Sequence, residues 1–201
     1  IQAQLKVYGY YFIEELLKPD IIDALQKSVP AEPNKDGVET TSYLYAYYFI
    51  ARKLAELERK DLLSAVSKQF NTHLYTPNAT PELPEIINCG PIDYYNHMPY
   101  VFNNSRINLN ISLRSGIPLR AMDIMGCNGF LLSNYQADFY DFFVPGEDMA
   151  VFESKEDLIN KCDYYLEHDN ERRQIAANGF GKVNEFHTYK VRLKEIFDVV
   201  F

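Results

Sequence analysis

The alternation of hydrophobic and polar positions is clearest in residues 105–134, where it predicts a strand, a loop, a helix and a second strand. Residues 106–113 alternate with a period of two, which is the period of a β-strand. Pro118 stands where a first helical turn would begin, and its fixed φ suits that position. Asn128-Gly129 predicts the end of this helix, because both residues tolerate a left-handed backbone. The apolar run 130–132 is typical of a buried parallel strand.

The rest of the chain divides into a helical part and an alternating part. Residues 1–70 carry hydrophobic residues at three- and four-residue steps, which predicts helices. Their tyrosine-rich faces are interpreted as core or as an interface to another domain, with a stacking surface for sugar or base as the alternative. The alternating part has predicted strands at 72–75, 85–89 and 149–152, and predicted helices at 94–103, 137–143, 154–168, 170–186 and from 188 onward.

These patterns predict an α/β fold in which a helical segment precedes a doubly wound, Rossmann-like parallel sheet. The predicted domains are 1–70, a linker or interface segment, and 71–201, a ligand-binding domain. Ligands of such sheets bind at the carboxyl ends of the strands.

The predicted helix N-terminus after Pro118 is a candidate anion site, because free backbone N–H groups and the helix dipole favour negative charge there. Arg120, in the first turn, adds a planar guanidinium that matches a phosphate. Asp123 lies three residues on, and therefore on the same helix face, where it could accept hydrogen bonds from ribose hydroxyls. The alternative is an ordinary crossover helix with an exposed Arg–Asp pair.

Composition narrows the function classes. The 201 residues have a net charge of −8, which argues against sequence-independent nucleic-acid binding. Three dispersed cysteines indicate reduced thiols rather than a disulfide frame or a zinc site. There is no apolar run of about 20 residues, so we expect no transmembrane segment. These features favour a cytoplasmic protein, with peripheral membrane association left open.

Motifs for common cofactors are absent from the sequence. No G-x-G-x-x-G follows a predicted strand, no Walker phosphate loop is present, and no G-x-S-x-G elbow is present. The four histidines are dispersed and no pair has metal-ligand spacing, so we expect neither a cofactor nor a metal. The first residue is Ile, which suggests a piece of a longer chain.

An ordered set of short motifs over about residues 70–201 resembles the C-terminal half of a GT-B glycosyltransferase, specifically the group 1 domain of the CgeB-like, spore-protein-like family. The motifs are Pro91-Ile92-Asp93-Tyr94-Tyr95 with Met98-Pro99, 105–110, Gly116-Ile117-Pro118-Leu119-Arg120 with Asp123, 129–134, 143–147, 164–166, 172–179, and His187-Thr188-Tyr189 with Arg192. Two features depart from the family. Asn128 stands where Gly is usual, and the loop 113–116 is short, as if residues had been lost.

The resemblance implies a nucleotide-sugar donor site, with diphosphate contact and a catalytic role for Arg120 and ribose contact for Asp123. The donor is then a substrate and no cofactor is needed. The resemblance also implies a glycan, lipid or protein acceptor and an acceptor-binding N-terminal domain that this segment lacks. A bacterial enzyme of cell-surface polysaccharide synthesis would fit. Without that domain, we expect weak donor binding and no sugar transfer.

Further donor-binding candidates are Asn108, Asn110, Gly116, Ile117, Pro118, Tyr135 and Glu147. The first two lie at the end of the predicted strand, and the Ile117 N–H is the best single backbone donor to the diphosphate. Tyr135 could stack on a base and Glu147 could reach a hydroxyl, although either could be merely structural. The rival hypothesis is a non-catalytic nucleotide-fold module for binding or assembly. Another α/β sugar-phosphate enzyme is disfavoured, because no second catalytic cluster is visible.

Overall fold

A computed structural model describes residues 17–28, 44–112 and 116–200 of the chain. The helices are α1 (Pro19–Ser28), a π-helix (Leu44–Ala51), α2 (Arg52–Ser67), α3 (Met98–Asn104), α4 (Leu119–Gly126), α5 (Phe139–Phe142), α6 (Lys155–Glu167), α7 (Asp169–Phe186) and α8 (Tyr189–Val200). The strands are β1 (His73–Leu74), β2 (Ile87–Asn88), β3 (Asn108–Asn110), β4 (Leu131–Asn134) and β5 (Ala150–Phe152). The predicted helix in 1–16 lies outside the described residues.

The centre of the fold is a three-stranded parallel sheet in the order β3-β4-β5. Asn108 pairs with Leu131, and Leu132 pairs with Ala150, so the three strands begin at one edge and end at the other. β1 and β2 form a separate parallel pair. The predicted α/β class with a parallel sheet is therefore confirmed.

Helices cover both faces of the sheet, so every residue of β4 and β5 is buried. One face packs into a first core with α2, α6 and α7, and the other packs into a second core with α3, α4, α5 and α7. The first core contains Leu62, Val66, Ile111, Phe130, Leu132, Ala150, Phe152, Leu158, Cys162, Tyr165, Ile175 and Ala176. The second contains Phe102, Ala121, Ile124, Met125, Leu131, Phe139, Phe143, Met149, Val151 and Val183. Adjacent residues of a strand alternate between the cores, as the pleat requires.

Several local signals act as predicted. Pro118 precedes the first residue of α4, and Asn128, with φ of 57°, follows the helix in the left-handed conformation. The Ser154 hydroxyl accepts from the Asp157 N–H at 3.1 Å and caps α6. Thr188 accepts from the Val191 N–H at 3.4 Å and starts α8.

Three predicted boundaries were wrong. The regular strand within 106–113 is only β3, and β4 runs through Ser133 and Asn134 instead of ending before them. The helix predicted from 94 begins at Met98, because the Asp93 carboxylate accepts from the Tyr95 and Asn96 N–H groups and holds a turn there.

Helix α2, which precedes the sheet, is part of the packed structure. Leu62 and Val66 of α2 lie in the first core, 6% and 4% exposed. The domain boundary near residue 70 remains a prediction. Helix α2 lies before that boundary and the sheet lies after it, yet both contribute side chains to the first core. This placement brings α2 to the end of β3.

Candidate functional site

The carboxyl edge of the sheet is tied together by side chains at the end of β4. Asn134 accepts from the Ser112 N–H at 2.9 Å and donates to the Ser112 carbonyl at 2.5 Å. Gln136 donates to the same carbonyl at 2.7 Å. These bonds hold the chain leaving β3 beside the chain leaving β4, and so they set the position from which the loop to α4 departs.

Gln136 was not predicted as a site residue, and its environment is unusual. The residue is 1% exposed, and its Oε1 has no hydrogen-bond partner among the described residues. A buried acceptor without a partner is costly, so such an atom commonly marks a place where a ligand or water binds. A glutamine that follows an apolar strand gives no signal in the sequence that its side chain is buried with an unpaired acceptor.

The predicted phosphate loop is described from Gly116 onward, since residues 113–115 lie outside the described part. Gly116 has φ of 106°, in a region that glycine adopts without strain. A Cβ on Gly116 would lie 3.7 Å from the Asp138 carboxylate, which places this loop beside the start of α5. Ile117 packs partly against the second core, and its N–H has no partner among the described residues. The described part of the loop therefore lies at the carboxyl edge of the sheet, as the sequence predicted.

Arg120 and Asp123 both lie on α4, and no ion pair within 4 Å joins them. Arg120 is exposed and takes part in none of the ion pairs between described residues. Asp123 instead accepts a hydrogen bond from the Tyr94 hydroxyl. Burial, followed by this bond and the Asp123 charge, raises the pKa of Tyr94 to about 12. Tyr94 is therefore a protonated donor at neutral pH and fixes one oxygen of the carboxylate.

A second arginine, Arg59, reaches the same edge from α2. Its Nη2 donates to the carbonyl of Ile111, at the end of β3, at 3.3 Å. Burial, and then the positive charge of Arg120, lower the pKa of its guanidinium. Arg59 was not predicted from the sequence, because it lies 52 residues before Ile111, which it contacts, and because an arginine on a helix is ordinarily solvated.

The two asparagines of β3 hold the sheet together. The sequence predicted that Asn108 lies at the end of the strand. The structure shows that it is the first residue of β3, so this placement was wrong. Its amide donates to the Phe102 and Phe130 carbonyls at 2.9 and 3.3 Å. Asn110 is 2% exposed and donates to the Ser133 hydroxyl at 2.9 Å. Both amides are engaged in joining neighbouring elements, and a donor-binding role for either remains a prediction.

The two remaining candidates lie at different edges. Tyr135 follows β4 at the carboxyl edge and is half-buried, with its ring 5.6 Å from that of Tyr140. Glu147 is exposed and precedes β5, at the edge where the strands begin. Its backbone carbonyl accepts from the Asn178 amide at 2.8 Å. The geometry thus groups Tyr135, and not Glu147, with Arg59, Arg120 and Gln136.

The described residues contain no group of three or more His, Cys, Asp or Glu side chains that could hold a metal ion. Within the same residues, no helix is both long and apolar enough to cross a membrane.

No curated protein matches the chain. A family model described as "Glycosyl transferase-like" matches residues 52–198, which include α2, the whole sheet and all the residues of the carboxyl edge named above. Since the match covers well over half of the 201 residues, the chain belongs to this glycosyl transferase-like family.

Proposed function

We propose that this domain binds the nucleotide-diphosphate sugar donor of a glycosyl transfer reaction at the carboxyl edge of β3 and β4. The observation that carries the proposal is Arg120, which lies in the first turn of α4, beside the carboxyl edge, and takes part in none of the ion pairs between described residues. A guanidinium and the amino end of a helix both favour a phosphate. The family match supplies the reaction class.

In this proposal Arg120 acts on the leaving group. When the glycosidic bond of the donor breaks, negative charge develops on the diphosphate. A positive group held in place beforehand stabilises that charge in the transition state. Gly116, Ile117 and Pro118 would let the backbone approach the diphosphate closely, with the Ile117 N–H as the donor.

Asp123 is proposed to bind the ribose. Tyr94 occupies one carboxylate oxygen of Asp123, and the other can accept from a ribose hydroxyl. Tyr135 is proposed to face the base or the sugar. The acceptor, a glycan, lipid or protein, and the base that activates it are assigned to another domain, as in the CgeB-like family that the motifs resemble. We therefore expect the 201-residue chain to bind donor weakly and to transfer no sugar by itself.

The test is a thermal-shift screen of the chain against UDP-, GDP-, dTDP- and CMP-sugars, with Arg120→Ala and Arg106→Ala as paired variants. A ligand that binds the native state raises the melting temperature by mass action. We expect a shift with one nucleotide that Arg120→Ala abolishes. Arg106, exposed and two residues before β3, should be dispensable. No shift with any donor, in the full-length protein as well, would refute the proposal.

A second candidate function is a non-catalytic assembly module, favoured by one observation. Helix α8 has no buried residue and exposes Leu193, Ile196 and Phe197 by half or more. An exposed apolar face of this kind is a common feature of interaction surfaces. Arg120→Ala distinguishes the two functions, because it should leave a partner interaction through α8 unchanged while abolishing donor binding.

A further inference from the structure

The junction between α7 and α8 carries interacting side chains that the proposed donor site does not use. Helix α7 ends at Phe186 and α8 begins at Tyr189, so only His187 and Thr188 join the two helices. The imidazole of His187 is half-buried, and its Nδ1 lies 2.6 Å from Nη2 of Arg192 in α8. A side chain of the junction is thus hydrogen-bonded to a side chain of the helix that follows it.

The hydrogen bond between Arg192 and His187 requires a neutral imidazole. An arginine guanidinium has five N–H donors and no acceptor, and it keeps its proton in proteins. Nδ1 of His187 must therefore be the acceptor, which places the single ring proton on Nε2. A protonated imidazole has a donor at both nitrogens, so it would turn an N–H group and a positive charge toward the guanidinium.

Two aromatic rings of α5 pack against this hydrogen bond. The centroid of the His187 ring lies 5.5 Å from that of Phe142 and 5.1 Å from that of Phe143. The guanidinium of Arg192 lies 5.6 Å from the centroid of the Phe142 ring. Phe142 therefore contacts both partners of the hydrogen bond, and this contact connects α8 to α5.

The charges around His187 oppose its protonation. Arg192 of α8 and Lys182 of α7 are both positive. Glu195 of α8 is bound to Arg192 at 2.7 Å, and Asp148 is bound to Lys182 at 2.6 Å. Burial, and then the charge of Arg192, lower the pKa of His187 below its ordinary value of 6.5. Lys182 acts in the same direction, and Glu195 opposes it.

Helix α8 has little apolar burial to hold it in place. None of its residues is buried, and Leu193, Ile196 and Phe197 are exposed by half or more. Because hydrophobic stabilisation scales with the apolar area removed from water, α8 is a region of low local stability. The contact between Arg192 and His187 is therefore a main contribution to the position of α8.

We propose that His187 is a pH-sensitive latch for α8. The neutral imidazole accepts from Arg192 and holds α8 on α5, and protonation of the imidazole breaks this bond and releases the helix. The released state binds the proton more readily than the docked state, so docking is complete well above pH 6.5 and weakens as the pH falls below that value. The exposed apolar face of α8 then changes its position with pH.

The experiment measures hydrogen–deuterium exchange of the full 201-residue chain between pH 5 and pH 8. Exchange rates are converted to protection factors, so that the intrinsic effect of pH on exchange cancels. Peptides from α6 are the internal reference, because Leu158 of that helix is completely buried. An NMR titration of the imidazole measures the pKa of His187 in the same proteins.

The two test variants change the latch in different ways. His187→Asn keeps a side-chain acceptor that does not titrate, and Arg192→Met removes the donor and its charge but keeps an apolar stem. The matched controls are His73→Asn, at an exposed histidine of β1, and Lys194→Met, at an exposed cation of α8.

We expect the protection of α8 in the parent to be at least about tenfold lower at pH 5 than at pH 7.5, and that of α6 to stay constant. In His187→Asn the protection of α8 should change less than about twofold over the same range. Arg192→Met should lower it at least about threefold at pH 7.5 and should raise the pKa of His187 toward 6.5. Both controls should behave as the parent does.

Protection of α8 that does not change with pH in the parent would overturn the inference, as would an equal change in His187→Asn. A parallel loss of protection in α6 would also overturn it, because the cause would then be global unfolding. If His187→Asn fails to fold, Arg192→Met decides, since the Arg192 side chain is 40% exposed. Parent-like protection of α8, or an unchanged pKa of His187, in that variant would overturn the inference. No measurement here uses a nucleotide sugar, so the result does not depend on the proposed donor site.

Discussion

At the scale of single residues, the carboxyl edge depends on a few amide side chains that hydrogen-bond the backbone. Asn134 both accepts from and donates to Ser112, whereas Gln136 only donates to it. Both side chains are buried, so each bond is made where water does not compete. The two residues therefore contribute differently, although both are amides at the end of the same strand.

We expect Asn134→Ala to lower the free energy of unfolding by about 2 kcal/mol, because it removes two hydrogen bonds of a buried side chain. Gln136→Leu should change it by less than about 0.5 kcal/mol, since it removes one bond together with an acceptor that lacks a partner among the described residues. Urea denaturation of the two variants measures the difference. A larger loss for Gln136→Leu than for Asn134→Ala would contradict this account.

Tyr94 should make the free energy of unfolding depend on pH in the alkaline range. Its pKa is raised from near 10 to about 12 by burial and by the Asp123 carboxylate, so the folded state keeps the phenol protonated where the unfolded state loses the proton. The stabilisation by this phenol is fully present below pH 10 and is lost as the pH rises toward 12.

The measurement is urea denaturation of the parent and of Tyr94→Phe at pH 8, 10 and 11. The stability difference between the two proteins should shrink over that range. Tyr95→Phe is the control, because Tyr95 is 87% exposed and its hydroxyl has no hydrogen-bond partner among the described residues. A difference between the parent and Tyr94→Phe that stays constant with pH would refute the predicted coupling.

At the scale of elements, helix α7 packs closely on its neighbours through a glycine. A Cβ on Gly179 would overlap the backbone carbonyl of Asp148 and would lie 3.3 Å from the sulfur of Met125 in α4. Gly181, in the same helix, faces open space. The two glycines therefore provide a matched test of close packing against helix propensity.

Gly179→Ala should cost at least about 2 kcal/mol of unfolding free energy, because a backbone carbonyl cannot move aside as a flexible side chain can. Gly181→Ala should stabilise the protein by up to about 1 kcal/mol, since alanine favours a helix. Thermal melts of the two variants should therefore shift in opposite directions. Equal shifts would mean that α7 lies further from the loop before β5 than the structure shows.

At the scale of the whole molecule, stability is concentrated in the sheet and the helices that sandwich it. Leu158 of α6 is completely buried in the first core, whereas Ile196 of α8 is 55% exposed. Hydrophobic stabilisation scales with the apolar area removed from water. Helix α8 should therefore add little to the stability of the domain.

We expect Leu158→Ala to lower the free energy of unfolding by about 3 kcal/mol, within the range for buried leucines. Ile196→Ala should lower it by less than about 1 kcal/mol, because much of the Ile196 side chain is already exposed to water in the folded state. Urea denaturation of each variant at two protein concentrations provides the measurement. A large, concentration-dependent loss for Ile196→Ala would instead show that α8 is buried in an assembly.

The amino-acid sequence by itself determined the elements whose signals are local. Pro118 and Asn128 bound α4, Ser154 caps α6, and the apolar run near 131 forms the central strand, because these effects act over a few residues. Strand ends were predicted less well, since the end of β4 is set by its pairing with β5. The order of the motifs also identified the glycosyltransferase class that the family match confirms.

Only the tertiary structure decided which side chains meet at the carboxyl edge. Arg59 contacts Ile111 across 52 residues of sequence, and Tyr94 binds Asp123 across 29. No periodicity or cap encodes such contacts, because they depend on how α2 and the turn before α3 pack on the sheet. The same packing placed the Tyr94 hydroxyl on the Asp123 carboxylate. Local sequence signals predicted the elements around the candidate anion site, and the packing of distant segments determined which side chains lie beside it, because contacts across many residues have no local signal.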